Sequence, residues 1–495
     1  MICVPIVGPT MDRALEDIDA CRRVADFIEF RLDLIASHDL PRLIEAAGNT
    51  PYIVTNRAKM DGGQFPGTEE ERVAVIKQAI ELGAMYIDIE TSTPPELLRS
   101  VLENKGKSKA ILSHHDFTRT DDKIDALYEL MTQMPADVLK LITYAQDLSD
   151  NLRLLQLLSR ARRDGVNLIA FCMGEKGEIS RILSPMYGGW LTFGSLDRGR
   201  ESAPGQIPAA TLKHIYRVNE LTIDSKIFGV IGDPVNKSMG YLIHNRAFQE
   251  LNLPHVYVPF WVKSLTRFFN TYQAYFTGLS VTMPFKEDIM KHLNRIDPLA
   301  KKIGAVNTVV REGNDWVGYN TDVTGALSAL NAVTELKGKR VLIIGAGGTA
   351  KAIGYGVTEQ GAALTLTYNR NKEKAEALAQ ELNAKLISIR DVDAHETDIV
   401  INCSPAGMTP NTNDTPYPAR LLKPGMVVFD SVYNPMETRL IKEAREKGCT
   451  VIPGIELFVN QAIGQLKLWT GTTPPREPLH EVVESRLREL EAKGV

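Results

Sequence analysis

Cysteine is scarce in this chain, and the five present (Cys3, Cys21, Cys172, Cys403, Cys449) are scattered without metal-type spacing. An odd, dispersed set argues against a disulfide framework and against a cysteine-based zinc site; it fits a reducing cytosol. No apolar run approaches the roughly 20 residues of a membrane span. The opening Met1-Ile2-Cys3-Val4-Pro5-Ile6-Val7 is too short, and too purely apolar, for a signal or transit peptide. Neither sign of charge dominates: 57 Lys and Arg face 61 Asp and Glu, a net charge of -4. That balance argues against a general nucleic-acid binder or membrane-surface binder. Internal repeats and low-complexity tracts are also missing. The expectation is a soluble cytoplasmic protein, monomeric or a small homo-oligomer, that acts on small molecules without a metal.

What the chain does have is a glycine-rich run, Gly345-Ala346-Gly347-Gly348-Thr349-Ala350. It follows a strand-like segment, Arg340-Val341-Leu342-Ile343-Ile344, and precedes a helix-like one. Glycines at such a turn let the backbone approach a pyrophosphate at a helix N-terminus, the opening of a dinucleotide site. One partner domain normally holds the substrate, yet far more chain than that precedes the run. At 495 residues the protein exceeds one hydrophobic core, and a second enzyme fused in front is expected.

From the start to about Leu221, short apolar runs alternate with helical stretches. The strands expected are Ile2–Val7, Phe27–Leu32, Tyr52–Thr55, Met85–Ile89, Ala110–Ser113, Val138–Thr143, Asn167–Cys172 and Leu191–Phe193. Eight strands in about 220 residues is the rhythm of a (β/α)8 barrel, whose active site lies at the strand C-terminal ends. Glu29 and Arg31 alternate with Ile28, Phe30 and Leu32, and Lys140 sits between Leu139 and Leu141, so charges point to one face. Several buried ions on different strands, aimed at one axis, cost too much without compensation to be incidental. Desolvation lowers a lysine pKa, which makes Lys140 a candidate Schiff-base nucleophile. His115, after the fifth strand, is a candidate acid/base.

The front half resembles a type I 3-dehydroquinate dehydratase over its whole length. The resemblance rests on Glu29-Phe30-Arg31-Leu32-Asp33, Arg57 before Gly62-Gly63, His115-Asp116-Phe117, Lys140, Ile179-Ser180-Arg181 and Ser202-Ala203-Pro204-Gly205-Gln206. It implies an imine between Lys140 and the C3 ketone of 3-dehydroquinate, with His115 removing a C2 proton and returning one as the C1 hydroxyl leaves. An iminium is an electron sink, so the chemistry needs a lysine instead of a metal. Arg181, Ser202 and Gln206 are implied to hold the substrate carboxylate and hydroxyls, with Glu29, Arg31 and Arg57 completing the polar wall. The family's glutamate that supports the histidine is replaced by Asp61, one methylene shorter.

A new unit begins near Lys226-Ile227-Phe228-Gly229-Val230-Ile231. The strand Leu364–Tyr368 ends at Asn369-Arg370, where an NAD site would place an acid for the ribose 2′-hydroxyl. Asn and Arg suit a 2′-phosphate instead, with Lys372 and Lys374 nearby, so NADP(H) is the cofactor expected. Lys286 and Asp322 form a pair able to shuttle the proton that accompanies hydride transfer to a ketone.

This half is similar to shikimate dehydrogenase from about Lys226 to the C-terminus. The matching residues include Ile231-Gly232-Asp233-Pro234-Val235, Ser238, His244-Asn245, Thr282, Lys286, Gly304–Thr308, Asn320-Thr321-Asp322, the glycine run, Asn402–Met408, Tyr433-Asn434-Pro435, Gly454, Gln461 and Gln465. The resemblance implies reduction of the 3-keto group of 3-dehydroshikimate by NADPH, with Lys286 and Asp322 catalytic. Ser238, Gly240, Thr282, Asn307, Tyr433, Gln461 and Gln465 are implied at the substrate. Gly345, Ala346, Gly347, Gly348, Thr349, Ala350, Asn369, Arg370, Lys374, Ser404, Met408, Ser431 and Gly454 are implied at the cofactor.

The fold expected is therefore α/β: an N-terminal (β/α)8 TIM barrel over residues 1–221, then a two-domain shikimate dehydrogenase. Its α/β substrate domain is expected over 222–325, completed by C-terminal helices from about 458 to 495, with a Rossmann NADP domain over 326–457. Two departures stand out. The family's histidine before the first serine is Lys237 here, and its second serine is Gly240. A missing hydroxyl there enlarges the pocket beside the substrate carboxylate and removes a bond worth about 1.5–3 kcal/mol unless replaced. The added room raises the expectation of some quinate oxidation, and a quinate-leaning dehydrogenase is the second reading. A metabolite-sensing pseudoenzyme is a third; it would lack Lys140, His115, Lys286 or Asp322, and all four are present.

Overall fold

The computed structural model describes residues 1–235, 238–368 and 371–492. Lys237, Asn369 and Arg370 lie outside the described residues. The chain divides into two compact units near residue 226.

The first unit is a parallel eight-stranded sheet. Its strands are β1 (Ile2–Ile6), β2 (Phe27–Arg31), β3 (Tyr52–Thr55), β4 (Tyr86–Glu90), β5 (Lys109–His115), β6 (Val138–Tyr144), β7 (Leu168–Met173) and β8 (Thr192–Phe193), paired in the order 7-6-5-4-3-2-1-8. The two ends of this order meet where the Trp190 N–H donates to the Leu168 carbonyl at 2.9 Å, so the sheet nearly closes as a barrel. Strand positions agree with those read from the sequence to within a residue or two. Alternation explains the interior. Phe27, Glu29 and Arg31 share one face of β2, and Tyr86, Asp88 and Glu90 share one face of β4. The lower layer is apolar: the Phe27 ring meets Tyr86 at 5.7 Å and Trp190 at 5.4 Å. The charges begin one layer higher, toward the C-terminal ends. The inward face is thus ionic only in its upper part.

The second unit holds two sheets. One is mixed and six-stranded: β9 (Ile227–Gly232), β10 (Val256–Trp261), β11 (Gly278–Val281), β12 (Arg295–Ile296), β13 (Thr308–Glu312) and β14 (Asp315–Tyr319), ordered 10-9-11-13-14-12. The other comprises β15 (Arg340–Ile344), β16 (Ala363–Tyr368), β17 (Lys385–Ser388), β18 (Ile399–Asn402), β19 (Val427–Asp430) and β20 (Thr450–Ile452). Its order is 17-16-15-18-19-20, every pairing parallel. Strand order reverses between β15 and β18, the crevice where doubly wound sheets bind dinucleotides.

The C-terminal helices return to the mixed sheet. Trp469, on the helix Gly454–Thr470, donates from its indole to the Val309 carbonyl at 3.0 Å. The helix Thr321–Asn331 approaches Gly454–Thr470 so closely that a Cβ on Gly325 would stand 2.8 Å from the Gln461 backbone nitrogen. The helix Arg476–Ala492 packs on Gly240–Glu250.

Candidate active sites

The barrel mouth collects six ionic side chains from β2, β4 and β6, the loop after β3 and the helix Glu69–Glu81. Asp88 is the hub. It accepts from both terminal nitrogens of Arg57 (2.9 Å each), from the Ser113 hydroxyl (2.6 Å) and from Lys140 Nζ (3.0 Å). Lys140 also reaches Glu29 at 3.4 Å, and Glu29 accepts from the Thr55 hydroxyl at 2.9 Å. Arg57 donates further to Glu90 and Ser113, and Arg72 takes the other Glu90 oxygen at 2.6 Å. Burial drives the Asp88 carboxyl upward, but Arg57 and Lys140 outweigh it and hold it well below the usual range. Glu90, buried beside the negative Asp88, is shifted upward. Burial alone would lower Arg57; the surrounding carboxylates raise it.

Lys140 Nζ also lies 4.4 Å above the Phe193 ring, so its stem is confined on one side by an apolar face. His115, next along from Ser113 on the inward face of β5, lines the same cavity as Lys140. Its imidazole is pushed down to about 3 by burial, with the Arg57 and Lys140 charges adding to the effect. It is therefore neutral at ordinary pH. Phe117 lies 6.1 Å from the His115 ring, centroid to centroid. Its edge occupies the space a Cβ on Gly62 would need, and Gly62 has φ +80°. A side chain at 62 would displace Phe117 from the rim.

Asp61 is buried beside this pair, with Oδ1 3.7 Å from His115 Nδ1 and its other oxygen taken by the Ser92 hydroxyl. Burial raises the Asp61 carboxyl, but the imidazole and Ser92 together bring it below the usual value. Arg31 is engaged by Asp33 at 2.8 and 2.9 Å instead of facing the cavity unpaired.

Arg181 differs from the other cations. It is buried over the Phe171 ring (4.3 Å) and, among the described residues, donates only to the carbonyls of Pro204 (3.2 Å) and Phe193 (3.5 Å), while its Nε has no partner there. Burial lowers its guanidinium to about 10 despite Glu178 nearby. A buried guanidinium without a bonded carboxylate is ready for an anionic ligand. Ser202 and Gln206 lie on the same cavity wall, bonded to each other (Nε2 to Oγ, 3.0 Å).

The sequence reading missed Asp88, Glu90, Ser113, Ser92 and Asp33 as functional groups. For the first two the signal was available: Tyr86-Ile87-Asp88-Ile89-Glu90 alternates as Phe27–Arg31 does.

In the second unit, Lys286 Nζ donates to Asp322 Oδ2 at 2.6 Å. Asp322 sits at the start of the helix Thr321–Asn331 because Asn320 caps it, accepting the Asp322 N–H at 3.1 Å. Its other oxygen accepts from the Asn307 amide at 2.8 Å. Asn307 in turn accepts the Thr321 N–H at 2.8 Å, so one side chain sets the register of that helix against β13. Tyr433 stacks on Phe458 at 4.8 Å, and burial raises its phenol. Thr282 follows β11 directly, half-buried. Gln461 donates its amide to the Phe458 carbonyl at 2.9 Å.

Two expectations are corrected here. Gln465 is buried, and its amide is fully used within the protein: it accepts from Ser280 (2.9 Å) and donates to the Asn307 carbonyl and the Thr308 hydroxyl (3.1 Å each). It supports Asn307 and has nothing left for a ligand. The absent side chain at Gly240 does not leave a void either. A Cβ there would stand 3.0 Å from the Tyr257 hydroxyl and 3.3 Å from Ser238 Oγ. The tyrosine fills the room, and Ser238 Oγ accepts the Gly240 N–H at 3.2 Å.

The glycine run sits at the crevice between β15 and β18. Gly345 has φ +115°, and a Cβ there would lie 2.9 Å from the Cys403 carbonyl, so only glycine fits. At Gly347 nothing lies within 4 Å of an added Cβ, and a Cβ on Gly348 would first meet Lys286, at 3.9 Å. The helix Gly348–Glu359 starts at Gly347 with no side-chain cap, which leaves its first N–H groups, those of Gly348, Thr349 and Ala350, facing that space beside Ala346. This cradle fits a dinucleotide pyrophosphate. Ser404 and Met408 follow β18, Ser431 follows β19, and Gly454 opens the helix Gly454–Thr470. Lys374 lies exposed near the start of the helix Lys372–Glu381. Among the described residues no cluster of His, Cys, Asp and Glu could hold a metal, and no helix is long and apolar enough to cross a membrane.

Comparison with known families gives four consecutive matches. The type I 3-dehydroquinase profile matches residues 2–222, and the shikimate dehydrogenase substrate binding domain matches 230–309. The shikimate / quinate 5-dehydrogenase profile matches 327–414, and the shikimate 5′-dehydrogenase C-terminal domain 454–484. The chloroplastic bifunctional 3-dehydroquinate dehydratase/shikimate dehydrogenase of Arabidopsis thaliana is 37% identical, over 96% of this chain and 83% of that protein. The shikimate biosynthesis protein AroDE of Chlamydia pneumoniae is 31% identical over 95% of each. Among solved structures, a shikimate dehydrogenase in complex with NADP+ superposes with a TM-score of 0.51 at 36% identity, covering 54% of this chain and 96% of that one. The Listeria monocytogenes shikimate 5-dehydrogenase, solved with shikimate and NAD, has a TM-score of 0.50 at 32% identity, covering 52% and 96%.

Proposed function

The chain belongs to the family of bifunctional 3-dehydroquinate dehydratase/shikimate dehydrogenases, and on that premise we propose which of its residues carry the two activities. It is a shikimate-pathway enzyme with a lyase half and an NADP(H)-dependent oxidoreductase half. The domains assigned to these are 1–221 for the barrel, 222–325 with the C-terminal helices for the substrate domain, and 326–457 for the nucleotide domain. The free, dispersed thiols support residence in a reducing compartment such as the cytoplasm.

In the barrel, Lys140 gives up a proton and attacks the C3 ketone of 3-dehydroquinate, and loss of water gives an iminium. Asp88 and Glu29 aim Nζ along the barrel axis, and Phe193 confines it. His115 removes a C2 proton, and the electron pair flows into the iminium as an enamine. The enamine then expels the C1 hydroxyl, which leaves as water with the proton from His115. An imidazole held at about 3 is a modest base but a strong acid once protonated, which favours the second transfer. Hydrolysis frees Lys140 and 3-dehydroshikimate. Arg181 receives the substrate carboxylate, supported by its unpaired Nε; Ser202 and Gln206 receive hydroxyls. Arg57 and Arg31 act through the carboxylates they hold.

In the other half, bound NADPH supplies the hydride. Lys286 gives a proton to the C3 carbonyl oxygen of 3-dehydroshikimate, and Asp322 at 2.6 Å orients and recharges it. Ser238, Thr282, Asn307, Tyr433 and Gln461 surround the substrate in this reading. Residues 345–350, Ser404, Met408, Ser431, Gly454 and Lys374 hold the cofactor, with Asn369 and Arg370 assigned from sequence to the 2′-phosphate.

The observation that carries the reading is the placement of a buried lysine between two carboxylates in one cavity with a neutral histidine, on a chain that also holds the Lys286–Asp322 pair. Supplying 3-dehydroquinate and NADPH together and following shikimate tests both halves. Shikimate is the expected product; failure to form it with folded protein overturns the reading.

A further inference from the structure

The Asp430 carboxylate ends β19 fully buried, with no cation bonded to it among the described residues. One oxygen accepts from the Asn402 amide at 2.9 Å and from the Val432 N–H at 3.0 Å; the other accepts from the Thr438 hydroxyl at 2.6 Å. Asn402 is the facing residue at the end of β18. Its own oxygen accepts from the Ser404 N–H (2.9 Å) and hydroxyl (2.7 Å). Two further bonds lace the same loops: the Ser431 N–H to the Asn402 carbonyl at 2.9 Å, and the Thr409 N–H to the Asn434 carbonyl at 3.1 Å. One loop, 402–409, carries Ser404 and Met408 of the cofactor set; the other, 430–438, carries Tyr433 of the substrate set. A single buried carboxylate is bonded into both.

A simple strand-end cap would not need a charge. Burial lifts this carboxyl to about 6, above its ordinary value, even with three donors bonded to it. An anion without a cation is costly in that setting. The cost is explained if the anion ties the two loops more rigidly than a neutral amide would, since hydrogen bonds to an ionised acceptor are the stronger ones.

We propose that Asp430 is a positioning residue that couples the two ligands of the dehydrogenase half: cofactor seated on the 402–409 loop fixes Tyr433 for the substrate, and substrate fixes Ser404 and Met408 for the cofactor. Such coupling is reciprocal by linkage and commonly amounts to about 5–150-fold in affinity. The proposal rests on the assignment of Tyr433 to substrate and Ser404 to cofactor made above.

The test uses the full chain and a ligand pair that cannot react in either half, NADPH with shikimate: both are reduced, and shikimate has no C3 ketone for Lys140. Calorimetric titration gives the dissociation constant of each alone and with the other saturating; their ratio is the coupling. Wild-type protein is expected to show at least about fivefold tightening. Asp430→Ala is expected to bring the ratio to about one, with a retained unfolding transition of the dehydrogenase unit in calorimetry as the control for folding. Asp430→Asn, which keeps the oxygen facing Asn402 and Val432, is expected to retain an intermediate ratio, and Thr438→Val to lower it. A wild-type ratio of one, or an Asp430→Ala ratio equal to wild type, overturns the inference. So does equal weakening of both ligands with the ratio preserved, which is the signature of a merely structural role. Shikimate oxidation by wild-type enzyme with NADP+ separates these failures from failure of the functional reading itself.

Discussion

His115 Nδ1 stands 3.7 Å from Asp61 Oδ1, beyond hydrogen-bond reach, although both side chains are buried and that nitrogen has no other partner among the described residues. The aspartate is held back by Ser92, which takes its other oxygen. One more methylene would carry a carboxylate across the gap. Asp61→Glu is therefore expected to stabilise the imidazolium and raise the His115 pKa above about 3. In a pH profile of dehydratase kcat/KM the acid limb should move to higher pH; an unmoved limb would show that position 61 does not address the histidine. Asp61→Ala removes the orienting charge and should cost on the order of tenfold to a hundredfold in dehydratase kcat, within what general acid–base help is worth. Unchanged turnover would take Asp61 out of the site.

Lys140 is the only group assigned to form a covalent bond with substrate. Borohydride added during turnover should leave a reduced adduct on the peptide that contains Lys140. Lys140→Ala should abolish both adduct and dehydration while shikimate oxidation persists. The same variant leaves Asp88 and Glu29 with one cation fewer, so the barrel should also lose stability, by about 3–5 kcal/mol for a broken buried pair. Adduct formation in the variant would place the imine elsewhere.

Lys286 and Asp322 are assigned to proton transfer in the second reaction alone. Lys286→Met and Asp322→Asn should each lower reduction of 3-dehydroshikimate by roughly 10²–10⁴-fold. Dehydration of 3-dehydroquinate by the same preparations should stay at the wild-type rate. A variant that retains most of its reductase kcat would remove that residue from the pair.

Asp430 makes stability depend on pH in a defined direction. Burial raises its folded pKa to about 6 from an ordinary 3.8. Below the unfolded value both states are protonated and its contribution is fully present. As pH rises toward 6 the unfolded chain loses the proton first, so stability falls, and the loss is complete above 6. The amplitude is about 3 kcal/mol, from roughly two pKa units. Asp430→Asn should remove this decline, so calorimetry should show its Tm gaining on wild type between pH 4 and pH 6.5. A constant Tm difference across that range would contradict the assignment.

The Tyr257 hydroxyl, 3.0 Å from where a Cβ on Gly240 would stand, takes up the room of the missing serine side chain. Wild-type enzyme should therefore turn over quinate poorly relative to shikimate with either NAD or NADP. Tyr257→Phe frees room for one more hydroxyl and should raise the quinate-to-shikimate ratio of kcat/KM. A wild-type preference for quinate would show that the pocket opens despite the tyrosine.

The barrel was legible because its strands are short, regular and separated by helical stretches. The upper interior was half legible. The Glu29–Arg31 alternation drew attention, and the equivalent Asp88–Glu90 alternation carried the same message, yet it is Asp88 that organises the site. Nothing local ranks one carboxylate above another; Asp88 acquires its role by meeting Arg57, Ser113 and Lys140 at once. Gln465 illustrates the opposite error. Its position suited a ligand contact, but its amide is consumed by Ser280, Asn307 and Thr308.

By itself the sequence determined the two-part organisation, the glycine cradle before a helix and the residue types able to perform imine and hydride chemistry. These follow from periodicity, turn chemistry and side-chain chemistry, which are properties of neighbouring residues. Only the tertiary structure decided which charges meet. Lys140 and Glu29 lie 111 residues apart and touch because the barrel brings β2 and β6 to one axis. The same closure leaves Asp61 short of His115, and in the second unit the docking of the helix Gly240–Glu250 on β10 sets Tyr257 in the space beside Gly240. Distances of that kind are fixed by how whole elements pack, and packing is a property of the folded chain.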